Sequence, residues 1–347
     1  MPDAIEDLDR QLIELLQRRI QVSRQLGDDE IAPVLDTKYV ERLRADPPGK
    51  DHAAASAVAN WLRHAASICQ QSGTSRRPIS YLGPIYSYSY LAAARQFGLA
   101  AELVPVATIA AVFEEIARSH AAFGVVPIEN STDGRVVDTL GMFAKTEVKI
   151  CGEVLFPIHH CLLGKCSRSE ITEIQSKPQA LSQCRGWLAA HVPNARLVEV
   201  SSTATAAKTA ATTRGVAAIA SREAGIHNNL DVIDANIEDV QGNTTRFAVI
   251  GNAKSHPTGN DKTSLMFQLN HRPGALASAM QIFQSAGLNL TWIESFPLPN
   301  CPNEYLFFVE LDGHRAEKSV GNAIRGLDEQ ALRLEVLGSY PKGHVEE

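Results

Sequence analysis

Apolar residues recur along the first 26 positions with the spacing of a helix. Ile5, Leu8, Leu12, Leu15, Arg19, Val22 and Leu26 step by three and four, an amphipathic seam that predicts one long helix. One seam position, Arg19, is a cation. A short helix over 36–45, the break "DPPGK" at 46–50 and a further helix over 51–71 complete a small all-α bundle, closed by the polar linker "SGTSRRP" at 72–78. From 79 to about 251 the pattern changes to short apolar runs ("ISYLG", "AELVPV", "AFGVVPI", "RLVEV", "VAAIAS", "FAVIG") alternating with helical stretches. That alternation predicts βαβ units around a largely parallel sheet, and the length suits two α/β lobes. After a second polar linker, "NAKSHPTGNDK" at 252–262, the order reads βαββαβ: strand "TSLMFQL", helix 273–286, strands near 290–296 and 304–311, helix 316–327 and strand 332–337. Such an order is that of a small ferredoxin-like α+β module.

Composition narrows the classes of function. The chain has 347 residues, is 44% apolar and 21% charged, and carries a formal charge of −6. It is long enough for two or three domains with buried cores. No long basic run is present to neutralise phosphates, so nucleic acid and membrane surfaces are not expected partners. The first helix is laced with Asp, Glu and Arg and no later apolar run could span a bilayer, so a cytoplasmic protein is expected. Six cysteines, at 69, 151, 161, 166, 184 and 301, show neither CxxC pairs nor a disulfide framework and read as buried thiols.

The candidate chemistry sits at strand-to-helix turns, where helix N-termini offer unpaired N–H groups and a partial positive charge. Three such turns are rich in hydroxyls and amides: Ser87, Tyr88 and Ser89 after "YLGP"; Asn130, Ser131 and Thr132 after "VVPIE"; and Ser201, Ser202 and Thr203 after "LVEV". Each could bind a carboxylate, and each could simply cap its helix. Arg246 in "NTTRF" is either a surface charge or a substrate clamp. His159 and His160 with Cys161 and Cys166 are metal-ligating residue types, but they fall in an apolar run where strand alternation sends them to opposite faces. No metal is expected. Trp187 and Trp292 are expected in the core.

The stretches "YLGP…SYS…LAA", "GVVPIENSTDGRVVDTL", "IHHCLLG", "SKPQALSQC", "SSTATAA" and "NTTRF", followed by "RPGAL", "NLTWIES" and "VLGSYP", together resemble the bifunctional chorismate mutase/prephenate dehydratase family, nearly end to end. The resemblance implies a chorismate-mutase-like helical domain over 1–72, a prephenate dehydratase domain over 78–252 and an ACT regulatory domain over 262–342. It implies a two-lobed, periplasmic-binding-protein-like catalytic domain with prephenate between the lobes and no cofactor. Matching motifs place Thr245 near the departing hydroxyl, with Glu129, Asn130 and Gln183 as companions, and Ser87, Tyr88, Ser89, Ser131, Ser202, Thr203 and Arg246 as substrate contacts. A threonine is a poor acid, so Thr245 reads as a hydrogen-bond polariser and Glu129 as the carboxyl available for general-acid work if burial raises its pKa, or alternatively as a helix cap.

The same resemblance implies an L-phenylalanine site from Gly274, Ala275 and Leu276 with Asn289, Leu290, Glu294 and Ser295, feedback inhibition, and a homodimer or homotetramer. This chain departs from the pattern in three places. Glu30, Tyr39 and Val40 stand where mutases carry a lysine and an Arg-Glu pair, Gln70 or Gln71 matching the mutase glutamine, so the helical domain reads as a degenerate mutase that keeps fold and dimer interface. Phe296 replaces the arginine of a Glu-Ser-Arg-Pro motif. Tyr86 replaces a glycine of the first turn, which must then accept glycine-like torsions or reshape the loop. Residual mutase activity, an arogenate dehydratase or prephenate decarboxylase, and a non-catalytic phenylalanine sensor are the other readings.

Overall fold

A computed structural model describes residues 2–25, 78–253, 255–298 and 304–343, with single helical positions at 58, 61, 62 and 65. Expectations for 36–45, for most of 51–71 and for Glu30, Tyr39, Val40, Gln70 and Gln71 lie outside the described residues. Helix α1 (Pro2–Gln25) forms as the seam predicts. Ile5, Leu8, Leu12, Leu15 and Val22 lie exposed along it, with Arg19 on the same seam.

The middle of the chain builds two sheets. The first takes β1 (Ile79–Leu82), β2 (Leu103–Val106), β3 (Phe123–Asn130), β4 (Gly134–Arg135) and β5 (Lys149–Pro157), with helices α2 (Tyr88–Phe97), α3 (Ile109–Ala117) and α4 (Val137–Phe143) between strands. The second takes β6 (Cys161–Gly164), β7 (Glu173–Ser176), β8 (Arg196–Glu199), β9 (Val216–Ala220) and β10 (Asp231–Asp234), with α5 (Pro178–Gln183), α6 (Arg185–His191), α7 (Thr203–Thr212) and α8 (Arg222–His227). The chain then returns to the first sheet as β11 (Thr244–Gly251). Strand orders are β2-β1-β3-β11-β5, with β4 on β3, and β10-β6-β9-β7-β8.

Neither sheet is largely parallel. In each, one strand has two parallel neighbours, β1 between β2 and β3 and β7 between β8 and β9, while the strands that carry the chain in or out pair antiparallel: β11 with β3 and β5, β6 with β9 and β10. Only two segments link the sheets, 158–160 and 235–243. The histidine pair expected in a continuous strand therefore lies in a crossover.

The last part forms an antiparallel sheet from β12 (Asp261–Leu269), β13 (Leu290–Pro297), β14 (Tyr305–Asp312) and β15 (Ala331–Pro341), in the order β13-β14-β12-β15, with α9 (Ala275–Ser285) and α10 (Lys318–Asp328). One sheet face packs on these helices through Leu265, Phe267, Val309 and Leu311. The other supplies Met266, Leu306, Phe308, Leu337 and Tyr340 to a core that also holds Leu140, Phe143 and Ile150 of the first lobe. A Cβ at Gly338 would lie 2.0 Å from the Ile150 carbonyl oxygen, so only glycine lets β15 lie this close against β5. Among the described residues no helix is long and apolar enough to cross a membrane.

Candidate active site

The parallel strands of both lobes end at the seam between the sheets, and the site is assembled there. Asn130, the last residue of β3, pairs in register with Thr245 near the start of β11. Its Nδ2 donates to Thr245 Oγ1 at 2.8 Å and to Asn243 Oδ1 at 2.8 Å, and its Oδ1 accepts the Thr132 and Asp133 N–H groups. Those turn hydrogen bonds fix which end of the amide faces Thr245. Gln183, at the end of α5 in the second lobe, receives Asn243 Nδ2 on its Oε1 at 3.1 Å and donates from Nε2 to Asp133 Oδ2 at 2.9 Å. His160, on the crossover, meets the same Gln183 Oε1 through Nε2 at 2.9 Å, and its Nδ1 lies 3.1 Å from the Tyr88 hydroxyl. The Tyr88 hydroxyl donates to the His159 carbonyl at 2.6 Å. One hydrogen-bonded chain thus runs His160, Gln183, Asn243, Asn130, Thr245 across the two lobes, with the Tyr88 hydroxyl against His160 at its end.

Electrostatics fix the protonation along this chain. Burial pushes the His160 pKa down, against opposing contributions from the Gln183 hydrogen bond and the Glu238 charge. The ring is accordingly neutral, and since Gln183 Oε1 can only accept, its proton sits on Nε2. Burial pushes the Tyr88 hydroxyl well above its ordinary value, with the Cys161 and Glu238 charges adding to it. Glu238 is buried on the other crossover; it accepts the His160 N–H at 2.9 Å and pairs with His159 Nδ1 at 2.9 Å. Burial acts to raise its pKa, but these hydrogen bonds prevail and hold it below the usual carboxylate range. Glu238 therefore ties the two crossovers together.

The residues expected from sequence do not all converge. Thr245, Asn130, Gln183 and Tyr88 belong to the chain above, and Ser131 joins it through a 3.4 Å bond to Asn243 Oδ1 while accepting the Thr244 N–H. Ser87 is committed to capping α2, donating to the Leu82 carbonyl at 3.1 Å and accepting the Tyr90 N–H at 3.3 Å, with Ser89 buried two residues on. Ser202 likewise caps α7, accepting the Thr205 N–H at 3.0 Å, and Thr203 is buried beside it. Asn243 and Asp133 were not singled out from the sequence, and His160 was weighed only as a metal ligand. Asn243 and Asp133 sit two and three residues from expected positions, and that proximity was the available signal.

Arg246 and Glu129 are corrections. Arg246 is neither a surface charge nor a clamp facing Thr245: its side chain is 8% exposed and turned toward the C-terminal module. There Nη1 donates to both Glu310 oxygens, at 2.6 and 2.8 Å, and Nε to Glu129 at 3.1 Å, while Glu153 lies 3.4 Å from Nη1. Lys262 completes the group through Glu153 at 3.0 Å, and the half-buried Trp292 ring lies 5.1 Å from the guanidinium carbon. The carboxylates around Arg246, Glu310 foremost, push its pKa up against the opposing effect of burial. Glu129 is bound to that guanidinium on the same side. Its Oε2 accepts from Arg246 and is not aimed at Thr245, and it caps no helix: the N-cap position of α4 is Val136, which has no side-chain cap. The cause is a bulge in β3 opposite the step from Arg246 to Phe247, where register passes from Glu129 to Pro127. Ile128 and Glu129 then share one face, and Asn130 is re-aimed toward Thr245.

The effector residues are also divided. Gly274, in the left-handed region at φ 81°, precedes α9, with Ala275 and Leu276 in the first turn. The Asn289 carbonyl accepts the Asp312 N–H at 3.1 Å, and Leu290 packs under the helices. Glu294 turns toward the first lobe and meets Arg135 Nη1 at 2.8 Å, while Ser295 turns the other way and is exposed. Phe296 faces the first lobe too, edge-on to Phe308 and beside Gly141.

A two-sheet α/β enzyme with uncharged donors converging at the seam of its lobes is the class that this fold and site define. The prephenate dehydratase family model matches residues 79–255. Over 99% of this chain and 97% of its own length, the bifunctional chorismate mutase/prephenate dehydratase of Aquifex aeolicus is 36% identical, and that of Pseudomonas aeruginosa is 37% identical over 97% and 96%. The crystal structure of prephenate dehydratase from Arthrobacter aurescens in complex with L-Phe is 32% identical, with a TM-score of 0.70 over 76% of this chain and 90% of that one. The chain belongs to the bifunctional chorismate mutase/prephenate dehydratase family.

Proposed function

We infer that this chain is a prephenate dehydratase, converting prephenate to phenylpyruvate, CO2 and water in L-phenylalanine biosynthesis. In that reaction the electron pair of the ring carbon–carboxylate bond moves into the ring, releasing CO2. The C–OH bond at the opposite ring carbon breaks, and hydroxide takes up a proton to leave as water. Aromatisation drives the step; the protein must help the hydroxyl depart and keep the ring carboxylate poorly solvated. One observation carries the reading: Thr245 Oγ1 already accepts a hydrogen bond from Asn130, so its own proton is available to a departing oxygen. Prephenate sits between lobes related as in periplasmic binding proteins, with Ser131 and Tyr88 beside it. Incubating the protein with prephenate and following phenylpyruvate by absorbance tests this. Phenylpyruvate from the wild type and a large loss in Thr245→Ala support it; none from the wild type overturns it.

The C-terminal module, over 262–342, acts as an ACT domain that binds L-phenylalanine and inhibits the 78–252 domain. Its βαββαβ order and its shared core with the first lobe support this. Because Glu294 and Ser295 point apart, the ligand is held around Gly274 and Asn289. Titration calorimetry with L-phenylalanine tests it, and no heat at millimolar ligand would count against it. The 1–72 domain serves dimerisation through the apolar seam of α1 and has lost mutase activity; chorismate turnover well above the uncatalysed rate would refute the loss.

A further inference from the structure

Tyr86, in place of the turn glycine, is held at φ 63°. Residues other than Gly, Asn and Asp rarely occupy that region, and they stay there only where surrounding contacts fix them. Here the contacts come from both lobes. On its own side the Tyr86 ring lies 5.0 Å from Tyr90 of α2. On the other it stacks on His227, the last residue of α8 in the second lobe, with ring centroids 3.9 Å apart and planes at 26°. The ring also packs against the second lobe's core, in the cluster that holds Ala218, Ala220 and Ala224. Tyr86 thus crosses the seam two residues before Tyr88, whose hydroxyl crosses it to the His159 carbonyl.

Two short crossovers are the only covalent links between the sheets, the arrangement in which lobes swing about a hinge. A contact outside the ligand site that favours the approached lobes raises apparent affinity, because less binding energy is spent on closure. We propose that Tyr86 and His227 form an aromatic latch across the seam, holding the lobes at substrate-binding spacing before prephenate arrives. Tyr86 is a positioning residue, touching none of the reacting atoms. The left-handed turn presents the ring to the second lobe; a glycine there would make the turn easily and leave the seam unlatched.

The kinetic arm of the test rests on the dehydratase reading; a spectroscopic arm does not. In histidine-labelled protein, ring resonances of His227, assigned by their loss in His227→Ala, should be shielded by the tyrosine in the wild type and in Tyr86→Phe. They should move to the position of an exposed histidine in Tyr86→Gly. Tyr86→Leu, which keeps apolar bulk without a ring face, should lose the shielding equally and guards against a collapsed turn. An aromatic pair of this kind corresponds to about a three- to tenfold rise in KM for prephenate in Tyr86→Gly and in His227→Ala, with kcat changed by less than about twofold. The double variant should show no further rise. Unshifted His227 resonances in Tyr86→Gly, additive KM effects, or a fall in kcat with KM unchanged would each overturn the latch. A wild type that shields His227 yet makes no phenylpyruvate would remove the dehydratase reading and leave the stack standing as a contact without that role.

Discussion

Asn130 Nδ2 lies 2.8 Å from Thr245 Oγ1, and since an amide nitrogen can only donate, the threonine proton points elsewhere. Orientation of that hydroxyl is therefore set by Asn130. Thr245→Val, nearly isosteric, should lower kcat by about 10²–10³-fold, the range for removing one preorganised donor, while Thr245→Ser retains most activity. Asn130→Asp is the sharper test. An ionised carboxylate in that place accepts where the amide donated and turns the threonine proton inward, so kcat should fall although the side chain keeps its shape. Steady-state kinetics with prephenate decide it: an Asn130→Asp enzyme with wild-type kcat would refute the orienting role.

His160 makes the site acid-sensitive. Burial depresses its pKa below the ordinary value of 6.5, so the folded protein binds its proton less readily than the unfolded chain. The stability this group contributes is complete above that ordinary value and declines as pH falls below it toward the depressed one. Protonation would also put a donor on Nδ1, facing the Tyr88 oxygen, and bring a positive charge into the chain. Below the depressed pKa, kcat should fall. His160→Gln, which keeps an amide in the chain without a proton to gain, should lower activity near neutrality and flatten the acid limb. An unchanged acid limb would show that another of the neighbouring groups, Glu238, His159 or Asp133, governs it.

The order of elements was legible because each stretch carries its own period: helical for α1, alternating strand and helix over 79–251, βαββαβ after 261. Two local caps were legible as well, with Ser87 and Ser202 bonded to the first turns of their helices. What the pattern could not reveal was the direction of side chains at the end of β3. Strict alternation sends Glu129 and Thr245 to one site, and a single extra residue at Ile128 sends Glu129 away with Arg246. Nor does Arg246 disclose from sequence that its partners are Glu153 and Glu310, distant in the chain and brought close only when the module docks. The direction of Asn243 and His160 was not legible for the same reason: both sit on crossovers, whose side chains take their direction from tertiary contacts.

Tyr81 is fully buried beside Tyr90, and its hydroxyl has no hydrogen-bond partner among the described residues. Burial, with the neighbouring Tyr90 and Tyr86 adding to it, pushes its pKa up to about 12. An unsatisfied buried hydroxyl is destabilising, so Tyr81→Phe should stabilise the protein by about 1 kcal/mol. For a unit of this size that is a rise of roughly 2–4 °C in the melting midpoint. A lower midpoint would mean that the hydroxyl is satisfied in solution.

Arg246 and Glu310 form the buried pair that joins β11 to the C-terminal module, with side chains 8% and 1% exposed. Removing the cation alone takes from buried Glu310 its doubly bonded partner, leaving it the Ser264 and Tyr340 hydroxyls and Lys262 at 3.8 Å, so Arg246→Met should destabilise by about 3–5 kcal/mol. Removing both charges is a different matter. In Arg246→Met with Glu310→Leu, Glu153 keeps its 3.0 Å partner Lys262 and the partly exposed Glu129 can be hydrated, so most of the loss should be recovered. Urea denaturation of the two single variants and the double measures this coupling, and additive losses would dismiss it. The pair also offers a mechanical route for inhibition, since Thr245 precedes Arg246 on β11. In Glu310→Gln, whose amide oxygen can still accept from Nη1, phenylpyruvate formation should persist while inhibition by L-phenylalanine weakens. Retained full inhibition would place the route elsewhere, with the Arg135–Glu294 contact the next to cut.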